Sequence, residues 1–147
     1  MTIDLVAPHD DRTRTAPVFP LRTFGNRVAV VTKHETLSYA ELADRVDARA
    51  TELGPVRRLV MVRAANAVEP LVTYLAALAG GHPLLLADAD DGPRAARMIE
   101  AYRPDVIAGA TKEGWRLDEI RQGTCHRLHP DLALLLSTSG STGSPKL

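Results

Sequence analysis

The residues best suited to chemistry are Ser137-Thr138-Ser139-Gly140-Ser141-Thr142-Gly143-Ser144-Pro145-Lys146, where hydroxylated side chains and two glycines lead to one lysine. Glycine lacks Cβ, so its backbone reaches φ > 0 and comes close to a ligand. Consecutive N–H groups in such a turn form a concavity for anions. Serine and threonine hydroxyls add donors, and lysine adds a mobile point charge that suits phosphate oxygens. An apolar run, Leu132-Ala133-Leu134-Leu135-Leu136, precedes the segment and reads as a buried strand that fixes its start. The spacing is not that of a Walker A loop, which needs four residues between its glycines and a Gly-Lys-[Ser/Thr] ending. Pro145 also disfavours a helix starting at the glycines. The plain alternative is a Gly/Ser linker. Against it, lysine is scarce: of 18 Lys+Arg only Lys33, Lys112 and Lys146 are lysines.

Thr138 to Lys146 resembles the signature loop of the adenylate-forming enzymes, Thr-Ser-Gly-[Ser/Thr]-Thr-Gly-x-Pro-Lys-Gly. These are the acyl-CoA synthetases, the adenylation domains of nonribosomal peptide synthetases and the luciferases. Leu147 departs from the usual glycine. Two upstream segments are similar to the family more loosely: Thr36-Leu37-Ser38-Tyr39-Ala40-Glu41-Leu42, and Glu69 to Leu86 with its Ala76-Ala77-Leu78-Ala79-Gly80 stretch. Leu85-Leu86-Ala87-Asp88 stands where the family has Pro-Leu-Asp-Pro.

The resemblance implies an AMP-forming acid–thiol ligase. A carboxylate attacks the α-phosphate of ATP, giving acyl-AMP and pyrophosphate, and a thiol of coenzyme A or carrier-protein pantetheine then takes the acyl group. It implies Thr138, Ser139, Ser141 and Thr142 as phosphate donors, Gly140 and Gly143 as points of close backbone approach, and Lys146 as the charge on the leaving pyrophosphate. Mg2+ is implied with the ATP. The family's adenine loop, ribose-binding aspartate, acyl pocket and C-terminal domain follow this loop. The chain therefore reads as an N-terminal part that is inactive alone, with carboxylate and acceptor both open. Two other classes stay open: a non-catalytic nucleotide- or phosphate-binding module, and a structural or interaction fragment without ligand.

Other polar groups carry weaker signals. Cys125, His126 and His129 lack the further ligands of a zinc motif and read as the edge of a short strand facing solvent. Asp88, Asp90 and Asp91 lack the glycine and glutamate of a calcium loop and read as a polar turn with capping potential. Asp105 and Glu119 have no partner legible in sequence. His82 reads as leading into a strand, and Tyr39 and Leu42 as core.

Net charge is +0, with no basic block and 4% aromatics, which excludes a nucleic-acid surface. There is no apolar run of about 18 residues, hence no predicted membrane span. Met1-Thr2-Ile3-Asp4 does not open like a signal peptide, and the single Cys125 offers no intrachain disulfide, so a cytoplasmic setting is expected.

Positioning elements alternate. Residues 1–20 read as a mobile lead-in, and 21–147 as one α/β subdomain ending at the loop. Val28–Thr32 reads as a strand. Ser38 and Glu41 make a capping box for a helix with Leu42, Val46 and Leu53 on its apolar face, stopped by Gly54-Pro55. Leu59–Val62 reads as a doubly covered strand. A helix capped by Asn66 runs to Gly80-Gly81, Pro83–Ala87 is a strand, and Pro93 opens a helix ending before Pro104. Val106–Ala108 and Leu132–Leu136 complete the strands. The fold class is layered α/β, a mostly parallel sheet flanked by helices. Ligands of such sheets sit beyond the carboxyl ends of the strands, where the glycine-rich loop begins. Uncovered sheet edges predict a homo-oligomer.

Overall fold

The structure, a computed structural model, describes residues 20–136, so Thr138, Ser139, Gly140, Ser141, Thr142, Gly143 and Lys146 lie outside the described residues. Strand β1 (Val28–Val31) pairs antiparallel with β2 (Thr36–Ser38), and helix α1 (Tyr39–Leu53) follows at once. The capping box forms as expected. The Glu41 N–H donates to Ser38 Oγ at 3.2 Å, and the Ser38 N–H donates to Glu41 Oε2 at 2.8 Å. The helix stops at Gly54, whose φ of 73° suits a residue without Cβ.

Then come β3 (Val60–Ala64), α2 (Val68–Ala79), β4 (Leu84–Asp88), α3 (Gly92–Tyr102), β5 (Val106–Thr111), β6 (Gly114–Glu119) and β7 (Leu134–Leu135). The main sheet has the order β6-β5-β3-β4-β7. The β3–β4, β3–β5 and β4–β7 pairs are parallel, and only β6 runs antiparallel. This is the layered, mostly parallel architecture expected.

Side chains alternate across the central strands with period two. Val60, Val62, Leu84 and Val106 face α1 and α2, packing with Leu42, Val46, Val72 and Ala76. Leu59, Met61, Leu85 and Ala87 face α3 and pack with Ala95 and Met98. Both faces of β3 and β4 are therefore covered, which is why their sequences are unbroken apolar runs.

Four expectations are corrected. The first strand lies outside the main sheet: β1 and β2 form a two-stranded sheet of their own, with Val28 and Val31 exposed. Asn66 does not cap α2; the cap position is Ala67, which offers no side-chain bond. The strand begun at Val106 is longer than expected and turns back through β6, a hairpin closed at Gly114 with φ of 125°. The last strand is shorter, because only Leu134 and Leu135 pair with β4.

Candidate functional site

The carboxyl ends of β3 and β4 lie side by side, whereas β7 pairs only with Leu84 and Leu85 at the start of β4 and runs on through Leu136 in the direction of that edge. Two clamps set where β7 lies. Its approach segment is held by Arg57, whose Nη2 donates to the carbonyls of His129 at 2.9 Å and Leu132 at 3.0 Å, while its Nε donates to Gly81 at 3.0 Å. One guanidinium thus ties the start of β4 to the chain feeding β7. The Leu84 N–H adds a backbone bond to the Ala133 carbonyl at 2.9 Å.

At the carboxyl edge the polar groups are mostly committed to backbone. Asp88 Oδ1 accepts the Asp90 N–H, and Asp91 Oδ1 accepts the Arg94 N–H as the cap of α3, both at 2.9 Å. The three aspartates thus belong to a capping turn, as expected. Arg63, paired with Ala87 one residue before the end of β3, sends Nη2 to the Ala89 carbonyl at 2.8 Å. Its stem lies over Gly109, where an added Cβ would meet Arg63 Cδ at 3.4 Å. Arg63 Nε is buried without a hydrogen-bond partner.

Sequence reasoning found no partners for Asp105 and Glu119, at the opposite, amino end of the sheet, and the structure supplies them. Asp105 is fully buried just before β5. Its Oδ2 accepts the Leu59 N–H at 2.9 Å and the Thr124 hydroxyl at 2.7 Å, and its Oδ1 accepts Arg121 Nη1 at 2.8 Å. Burial by itself pushes this carboxyl up, but the bonds from Thr124, Arg121 and Leu59 outweigh it and hold it below the usual carboxylate range. Glu119 pairs with the buried Arg58, which also donates to the Leu53 carbonyl at 2.6 Å. Such partners are 5 to 61 residues from Arg58, which no local pattern exposes.

His82 does lead into β4, as expected, and is also a buried junction. Its Nδ1 accepts the Arg58 N–H at 3.2 Å, so the ring proton is on Nε2, 3.2 Å from the Gly54 carbonyl. Burial lowers its pKa, the Gly54 bond offsets this in part, and Arg58 and Arg57 lower it further. The expectation of a solvent-facing strand edge at Cys125, His126 and His129 is corrected: they lie on irregular chain, and Cys125 and His126 cluster with Asp105.

No helix among the described residues is long and apolar enough to cross a membrane. No protein-family model matches the sequence, and no curated protein matches it. Solved structures do. The chain is similar to the Klebsiella oxytoca NpsA N-terminal subdomain in complex with 3-hydroxyanthranilyl-AMSN, with a TM-score of 0.64 and 22% identity over 85% of this chain and 36% of that one. It is similar to apo MatB from Rhodopseudomonas palustris, with a TM-score of 0.62 and 22% identity over 82% of this chain and 30% of that one. ATP-bound MatB gives 0.62 and 23% over 86% and 33%. The chain spans about a third of the length of these solved chains. At this identity the likeness establishes the fold alone, which this chain shares with the NpsA N-terminal subdomain and with part of MatB.

Proposed function

We propose that this chain is the N-terminal part of an ATP-dependent ligase that forms acyl-adenylates. The observation that carries the reading is the parallel pairing of β7 with the start of β4, which points the chain towards the carboxyl edge of the sheet ahead of Thr138–Lys146. The neighbours support it: one NpsA structure holds an acyl-AMSN compound and one MatB structure holds ATP. In this reading a carboxylate oxygen attacks the α-phosphorus of ATP, the α–β phosphoanhydride bond breaks, and pyrophosphate leaves. A thiol of coenzyme A or a pantetheine carrier then displaces AMP from the acyl carbon. Thr138, Ser139, Ser141 and Thr142 donate to the phosphates, Gly140 and Gly143 admit the backbone, and Lys146 balances the departing charge. Asp88 and Asp91 each commit one carboxylate oxygen to a backbone N–H of the capping turn, and neither is assigned to magnesium. No step is assigned to the ion.

The test is calorimetry of residues 1–147 with pyrophosphate and ATP, beside an ATP–pyrophosphate exchange assay with a panel of carboxylates. Binding of both ligands, lost in Lys146→Ala, and no exchange by this chain alone are expected. Absence of binding would overturn the reading in favour of a ligand-free structural fragment. Exchange by this chain alone would overturn its assignment as an incomplete part. Self-association through the outer edge of β7, beside the exposed Leu136, belongs to the same proposal, and sedimentation showing a monomer at high concentration would remove it. An exposed free thiol, Cys125, supports a cytoplasmic setting.

A further inference from the structure

At the amino end of the sheet, three groups that bind metals face one another. Asp105 Oδ1, Cys125 Sγ and His126 Nε2 all lie within 4.8 Å of one another. Sγ and Nε2 are 3.6 Å apart, and Nε2 and Oδ1 are 4.0 Å apart. Tetrahedral zinc with one sulfur, one nitrogen and one oxygen ligand needs its donors about 3.3–3.6 Å apart. The three donors, all within 4.8 Å, would draw together to that spacing around a metal.

The carboxylate is prepared for such a role. Thr124 and the Leu59 N–H anchor Oδ2, leaving Oδ1 turned to the thiol and the imidazole. A cation already occupies that place. Arg121 Nη1 lies 2.8 Å from Oδ1 and 3.2 Å from Sγ. It also donates to the Arg103 carbonyl at 3.0 Å, and that carbonyl accepts the His126 Nε2–H at 2.9 Å, a bond that metal binding at Nε2 must replace. Arg121 is a quarter exposed, so its side chain has a route to solvent.

We propose that Asp105, Cys125 and His126 form a zinc site in which the metal displaces the Arg121 guanidinium. The thiol loses its proton on binding, so thiolate and carboxylate together balance the two charges of the ion. A mixed sulfur, nitrogen and oxygen set selects zinc and its tetrahedral analogue cobalt over magnesium or calcium. Cys125 is exposed, so water takes the fourth position. Bound metal would tie the chain before β5 to the segment that leads to β7. The proposal is independent of nucleotide chemistry.

The experiment is a Co2+ titration of reduced residues 1–147, read by the sulfur-to-cobalt charge-transfer band and followed by Zn2+ displacement. One equivalent should saturate the band, and one equivalent of Zn2+ should bleach it. His126→Gln should weaken Co2+ binding at least tenfold. Cys125→Ser should weaken Zn2+ binding, measured by competition with a chromophoric chelator, at least tenfold. Cys125 is exposed and His126 is partly buried, and neither variant alters the buried Asp105. Arg121→Gln, which removes the competing cation, should tighten binding. Absence of a saturable band, unchanged Zn2+ affinity in Cys125→Ser and His126→Gln, or weaker binding in Arg121→Gln would overturn the proposal.

Discussion

The two ends of the parallel strands are built by opposite means. At the amino end, charged and polar side chains are sunk into the sheet: His82, Asp105 and Arg58 are buried, and each is bonded to chain far away in sequence. At the carboxyl end the described aspartates serve a turn and a helix cap. The difference separates two tasks. Long-range bonds at one end fix the order and register of the strands. The other end relies on the short bonds of a capping turn together with one longer bond, from Arg63 to the Ala89 carbonyl.

Four perturbations sharpen that contrast. Asp105→Ala should act most strongly. It leaves the Leu59 N–H and the Thr124 hydroxyl without their acceptor in a buried site, and about 3 kcal/mol of stability should be lost in urea unfolding. A loss below about 0.5 kcal/mol would show that the amino end is not the framework.

Gly80→Ala should follow. A Cβ there would stand 2.8 Å from Cδ2 of the buried His82 ring, and overpacking of this kind costs about 1–3 kcal/mol. The same urea series measures it, and an unchanged midpoint would mean that the ring moves freely.

Acid should act next, at the same end. His82 has a lowered pKa when folded, so the unfolded chain takes up its proton first. Its contribution is complete above the unfolded value of about 6.5 and declines as pH falls below it. Asp105 also has a lowered pKa, so its contribution is present above about 4 and is lost as pH falls through the folded value. Thermal midpoints from pH 8 to pH 3 should therefore fall in two stages. His82→Gln should remove the upper stage and leave the lower.

Lys146→Ala should have the smallest effect on stability, within about 0.5 kcal/mol. Its effect on pyrophosphate affinity should be a loss of about 10–100-fold, the worth of a charge-assisted hydrogen bond. Asp105→Ala should show the reverse pattern under conditions where it stays folded. If each variant disturbed both properties equally, the two ends would not be separate in function.

Much of the architecture was legible because it rests on short-range rules. Ser38 and Glu41 are three residues apart and satisfy each other's backbone partners. Asp91 and Pro93 mark the start of α3, and the continuous run Leu59–Val62 announced a strand covered on both faces. The β5–β6 hairpin was missed although Lys112-Glu113-Gly114 is a usable turn signal, because β6 carries charges at Arg116, Asp118 and Glu119 that dilute its alternation. Val28–Val31 was rightly read as a strand, but its sequence is silent on which sheet it joins. The Asp105 cluster was not legible at all. Its partners lie 16 to 46 residues away, and none belongs to a spaced motif.

The sequence by itself determined the three helices, the buried central strands with which they alternate, and the chemistry suggested by Thr138–Lys146. Propensity, capping and loop composition act over a few residues, so they can be read in order along the chain. Only the tertiary structure decided that β7 lies parallel beside β4, that Arg57 holds its approach, and that Asp105, Cys125 and His126 meet. Those contacts join chain segments whose proximity is set by the sheet order β6-β5-β3-β4-β7, and that order is a property of packing rather than of local sequence.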